Sequence, residues 1–144
     1  MGVDEARDKA VSLPLLAIGI GCKSGVCAEA VINLVGEACR KIEGEPNSLY
    51  TAEEKRAEPA VREAAAYLGL PLIYLSRDSL KAEAGRAATT SQRVLALFGV
   101  PSIAETAALA GAGPGSKLLL TRISANGVTC AIAAQSFAIA KEII

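Results

Sequence analysis

The chain has 144 residues, enough for one domain with a single core, and a balance of 51% hydrophobic to 21% charged residues excludes intrinsic disorder. Aromatics supply only 3%, so Ala, Leu, Ile and Val must build that core. Lys+Arg and Asp+Glu both number 15, which removes any global attraction to nucleic acid or an acidic membrane, and the lack of histidine excludes imidazole bases, His-relayed triads and His-ligated metals.

Residues 1–12 read as a flexible polar leader and 13–144 as a single domain, without repeat or linker. The leader has neither the basic start nor the apolar stretch of a secretion signal. No apolar run approaches the roughly 20 residues of a membrane span, so a cytoplasmic location with free thiols is expected. Cys22, Cys27, Cys39 and Cys130 make no C-x-x-C pair, and neither a metal site nor a cofactor is expected.

"LLAIGIG" is continuously apolar and predicts a buried strand. From Val26 to about Lys41 a helix is expected, with Cys27, Val31, Leu34, Val35, Ala38 and Ile42 at helical spacing on its inner side. "EGEPNS" reads as a loop and "SLY" as a short strand. In "TAEEKRAEPAVREAAAYLG" a turn precedes a second helix, with Pro59 in its first position and Val61, Ala64, Ala65 and Leu68 inward. "LPLIYLS" predicts a second buried strand, followed by a broken helical segment over Ser79–Ala84.

"TSQRVLALFG" is a helix opened by Thr90 or Ser91 and closed by Gly99. "PSIAETAALAGAG" is an alanine-rich helix whose Ser102 and Glu105 have capping-box spacing. "KLLLTRISANGVTCAIAAQ" is two strands around Asn126-Gly127, a strong hairpin signal. The fold class is therefore α/β: a three-layer sandwich with a mixed sheet, parallel β/α units first and a C-terminal antiparallel hairpin last.

The chemistry centres on "GIGCKSG", Gly19–Gly25. A Walker loop needs glycine directly before the Lys-Ser pair, where Cys22 stands, and its first glycine position is Ala17. A dinucleotide fingerprint fits little better, because Gly19, Gly21 and Gly25 are spaced G-x-G-x-x-x-G and the acidic candidates Glu43 and Glu45 lie past the helix. Two readings stay open. The loop with Lys23 and Ser24 binds an anion at a helix start, or its glycines merely let strand and helix pack closely.

Four ordered stretches carry a resemblance. "AIGIGCKSGVCAEAV", "EKRAEPAVREAAAYLGLPL", "TTSQRV…FGVPSIAETAALAGAG" and "LLLTRISANGVTCAIA" together resemble the cobalamin-biosynthesis family that comprises CobE and the C-terminal domain of CbiG. The match runs from about Leu15 to Ala134 and is similar to the stand-alone, CobE-like form. It implies a protein of cobalamin (vitamin B12) synthesis that binds a precorrin or corrinoid through its carboxylates, in the oxygen-dependent route. Its partners would be that small molecule and other enzymes of the pathway, with no nucleic acid and no membrane.

The ligand-binding residues so implied are Gly19, Gly21, Cys22, Lys23, Ser24, Gly25, Lys55, Ser91, Ser102, Glu105 and Thr129, with Arg56 beside Lys55 as a further cation. The resemblance also raises an alternative, a hydrolase that opens a precorrin lactone and releases acetaldehyde, as CbiG-type proteins do. Only the C-terminal part of those longer proteins is matched. With no histidine, the catalytic candidates would be Glu58, Glu105 and Cys22, or a perturbed Lys23. Cys22, before a helix and beside Lys23, is placed for a lowered thiol pKa; otherwise it is a half-buried packing residue. Ser102, Glu105 and Glu58 have the alternative of capping helices, and Thr129 that of an ordinary strand residue. A small nucleotide-binding domain is the weaker alternative.

Overall fold

The computed structural model describes residues 14–135; the polar leader expected over 1–12 lies outside them, as does 136–144. The chain runs β1 (Leu15–Cys22), α1 (Ala28–Lys41), β2 (Glu45–Ala52), a 3-10 turn (Glu53–Ala57), α2 (Pro59–Leu68) and β3 (Leu72–Leu75). It continues through α3 (Arg77–Lys81), a second 3-10 turn (Ala84–Arg86), α4 (Gln92–Phe98), α5 (Ile103–Ala112), β4 (Ser116–Ala125) and β5 (Val128–Gln135). The strand order is β3-β2-β1-β5-β4. β1, β2 and β3 are parallel, and β5 runs antiparallel to both β1 and β4. The expected mixed sheet between two helical layers is what the chain forms.

The period-2 geometry of β1 separates the layers. Leu16, Ile18 and Ile20 point into the larger core with α1 and α2, where Val31, Leu34, Val35, Val61 and Ala64 meet them. Ala17, Gly19 and Gly21 point to the opposite face. There α5 lies against the sheet, with Ala104, Ala108 and Leu109 on Ala131 and Ala133 of β5. The fit is tight: a Cβ added to Gly19 would come 1.9 Å from the Ala104 carbonyl oxygen. Similarly, Gly111 of α5 leaves room for the Tyr50 ring, which a Cβ would approach to 2.5 Å. Small residues on both sides let helix and sheet backbones come together, and residues Ile103–Leu109 are all buried.

Several local expectations change. Residues 45–48 of "EGEPNS" belong to β2, paired with β1 through Leu15↔Glu45 and Leu16↔Pro46 before a register shift. Pro46 is tolerated near the strand's start and beside that irregularity. β3 is an edge strand whose four residues are all half-buried, so "LPLIYLS" is apolar without being deeply enclosed. The broken helix begins earlier, at Arg77, with Ser76 as its cap. Cys27 is exposed at the N-cap of α1, outside the core that its spacing suggested.

Gly19→Ala should destabilise the fold by at least about 3 kcal/mol, because the new methyl group meets backbone that cannot rotate away. Gly25→Ala, at φ 83° but with open space around it, should cost only about 1–2 kcal/mol. Urea midpoints of the two variants against the parent check both values.

Candidate functional site

The parallel strands end on one side of the sheet, and the β4–β5 hairpin turns there too, since Cys22 and Ala125 both pair with Val128. Crevices at the carboxyl ends of parallel strands are where open α/β sheets bind ligands. A cleft of about 500 Å³ occupies this position. It is lined by the β1 end, Lys55 of the first 3-10 turn, one side of α4, the start of α5 and the hairpin turn.

Asn126 (φ 53°) and Gly127 (φ 82°) both adopt the left-handed region that a tight two-residue hairpin turn requires. The turn is held to the β1 loop by the Lys23 N–H, which donates to the Gly127 carbonyl at 2.9 Å. Thr129 donates its hydroxyl to the Gly21 carbonyl at 3.3 Å, and a Cβ on Gly21 would stand 2.7 Å from that hydroxyl oxygen. Thr51, fully buried, ties the same strand end through its hydroxyl to the Ile20 carbonyl at 2.7 Å.

Of the sequence-predicted residues, Gly21, Cys22, Lys23, Ser24, Lys55, Ser91, Ser102 and Thr129 line the cleft together. Gly19 and Gly25 do not. Gly19 is spent on the contact with α5, which is the packing role that the loop's glycines left open. Gly25 gives its N–H to a Glu58 carboxylate oxygen at 3.1 Å. Glu58 stands at the N-cap of α2 without capping it, its carboxylate turned to the β1 loop. The backbone donors of Lys23 and Gly25 are thus already committed. Arg56 lies over the Tyr74 ring at 4.6 Å and is not among the lining residues.

Glu105 takes a different place from the one expected. It is fully buried, and its carboxylate accepts three backbone N–H bonds: Ala88 at 2.8 Å, Thr89 at 2.9 Å and Arg122 at 2.9 Å. Only the Ser102 half of the capping box forms, with the Ser102 hydroxyl accepting the Glu105 N–H at 3.2 Å. A carboxylate removed from water needs such partners, and these leave it no freedom to act as a base in the cleft. Ser91 caps α4 by accepting the Val94 N–H at 3.3 Å.

Arg93 and Arg122 also line the cleft, and the sequence reasoning missed both. Arg122 sits where β4 shifts register between Leu120 and Ile123. Two adjacent polar residues, Thr121-Arg122, sit between the run Leu118–Leu120 and Ile123, and such a pair inside a strand is the sequence mark of a bulge that re-aims a side chain. Arg93 follows the cap of α4 by two residues, and nothing in the sequence distinguished it from a solvated arginine. Lys23, Lys55, Arg93 and Arg122 therefore share one cleft, with no carboxylate among the described residues that line it. None of the four is in an ion pair among the described residues. Val94, Leu97, Phe98 and Ile103 supply apolar surface beside them, and Leu97 is 57% exposed.

Burial raises the Cys22 thiol pKa above its ordinary value; Lys55 opposes this and Glu58 reinforces it. The lowered pKa expected from Lys23 and the helix start does not occur, because α1 begins only at Ala28 and burial dominates. At neutral pH, Cys22 should be alkylated by iodoacetamide more slowly than exposed Cys27. Glu58→Gln should speed its reaction and Lys55→Ala should slow it, as followed by mass mapping of peptides.

Comparisons with known proteins agree with one another. The family described as "Cobalamin synthesis G C-terminus" matches residues 16–133. Protein CobE of Sinorhizobium sp is 34% identical over 121 residues, covering 82% of this chain and 79% of that protein. The crystal structure of CobE, a protein from the cobalamin (vitamin B12) biosynthetic pathway, superposes with a TM-score of 0.78 at 31% identity, over 84% of this chain and 90% of that one. The crystal structure of the cobalamin biosynthesis protein chiG from Agrobacterium tumefaciens str. C58 gives 0.69 at 39% identity, over 84% and 98%.

Proposed function

The chain belongs to the CobE/CbiG C-terminal family of cobalamin biosynthesis, and on that premise we propose that its cleft binds a precorrin or corrinoid intermediate through the ligand's peripheral carboxylates. The observation that carries this reading is the lining: among the described residues, four cations and no carboxylate, beside an apolar surface, in a chain of zero net charge. A modified tetrapyrrole has that complementary chemistry, with a flat apolar ring and a fringe of acetate and propionate groups. Its ring would cover Val94, Leu97, Phe98 and Ile103, while its acid arms meet Lys23, Lys55, Arg93 and Arg122. A volume of about 500 Å³ lies in the ordinary range for small-molecule sites. The protein would hold the intermediate and pass it to another enzyme of the pathway, in the oxygen-dependent route with which stand-alone members are associated.

The lactone-opening alternative needs a base in the cleft. Glu105 is enclosed by three N–H donors, Glu58 is engaged with Gly25, and the Cys22 thiol is held protonated by burial. The geometry therefore favours binding over that chemistry. The nucleotide alternative is no better supported, since Gly19 and Gly21 lie within β1, several residues before α1.

Titrating the protein with a precorrin-type polycarboxylate should shift the ligand's visible absorption, and the affinity should fall as ionic strength rises. No spectral change at large protein excess would overturn the reading. Lys23→Glu and Lys55→Glu should each weaken binding about tenfold with the circular dichroism spectrum unchanged.

A further inference from the structure

Arg122 is half-buried, lines the cleft and has no acidic partner among the described residues, although a guanidinium withdrawn from water ordinarily acquires one. Its backbone, in contrast, is fixed. The register shift between Leu120 and Ile123 frees the Arg122 N–H from the β4–β5 ladder, and Glu105 accepts it. The other oxygen of the same carboxylate accepts the N–H groups of Ala88 and Thr89. Those residues lead directly to Ser91, whose N–H donates to the Pro101 carbonyl at 2.8 Å and closes the neck of the α4 segment that carries Arg93. One buried carboxylate on α5 thus sets the relative positions of the two cleft elements that bear arginine.

Resting on the binding role proposed above, we infer that Arg122 is the anchor that selects free carboxylates on the ring, and that Glu105 is its positioning residue. Glu105 does not touch the ligand. It acts by holding the Arg122 backbone at the bulge, so that the guanidinium reaches the cleft already oriented for a two-point hydrogen bond to a carboxylate. The ligand's acid group then supplies the counter-charge that none of the described residues provides.

The test compares two probes: cobyrinic acid, a corrin ring with free peripheral carboxylates, and cobinamide, a corrin ring whose acid arms are amidated. Wild-type protein should bind the first more tightly. In Glu105→Gln, an amide oriented to keep the Ala88 and Thr89 bonds turns its NH2 group toward the Arg122 N–H. That variant should lose about tenfold in affinity for cobyrinic acid and little for cobinamide. Arg122→Ala should do the same, and the double variant should be no worse than Arg122→Ala alone. Equal losses for both rings in Glu105→Gln, or additive losses in the double variant, would reduce Glu105 to a structural group and overturn the inference. Should Glu105→Gln not fold, Arg122→Ala still decides, because the backbone donor to Glu105 is retained: an unchanged preference for cobyrinic acid overturns the anchor. Wild-type protein that binds neither ring would instead defeat the binding role itself.

Discussion

The close approach of α5 to the centre of the sheet is the constraint on which the other features depend. Gly19 has no side chain because the Ala104 carbonyl occupies the space where one would stand. With helix and sheet that near, the first turns of α5 are sealed, and Glu105 is carried into the interior with them. A buried carboxylate must find donors, and it draws them from the segment before α4 and from the bulge in β4. Packing of the smallest residues thereby dictates where the charged walls of the cleft can be.

A second consequence concerns charge. The chain as a whole is neutral, so the anion binding proposed for it would be entirely a matter of placement. Lys23, Lys55, Arg93 and Arg122 come from four separate elements, which the parallel strand ends and the returning hairpin bring to one side of the sheet. The nearby acids are turned to internal duties. Glu58 stabilises the β1 loop through Gly25, and Glu54 pairs with Arg77 at 2.6 Å. Cations with no ion-pair partner among the described residues, beside acids that are occupied and the apolar side of α4, are the features on which the proposed binding of an amphipathic anion rests.

The glycine loop illustrates how a familiar pattern divides its labour. Gly19 serves packing, Gly21 gives clearance to the Thr129 hydroxyl, and Gly25 adopts a left-handed turn that offers its N–H to Glu58. No one of these is a phosphate cradle. The loop's contribution to the cleft comes instead from the Lys23 side chain and from the bond that fastens the loop to the hairpin turn.

Periodicity, turn chemistry and ordered motifs made the mixed α/β architecture, the Asn126-Gly127 hairpin, the Ser102 cap, a cap at Thr90 or Ser91 and the family legible from residue order, because each is written in neighbours a few positions apart; the structure chooses Ser91. The extent of β2 and the exposure of Cys27 were not legible, since both depend on what lies across the sheet or beyond the helix start. Within the site, Lys23 and Lys55 stood out beside their motifs, whereas Arg93 looked like any solvated arginine and Arg122 was marked only by the polar pair it forms with Thr121. Glu105 kept its capping-box spacing but bonded to residues 16 and 17 positions away. Only the folded chain could assign that role. A buried carboxylate takes whichever donors tertiary packing leaves unpaired, and linear spacing carries no record of them.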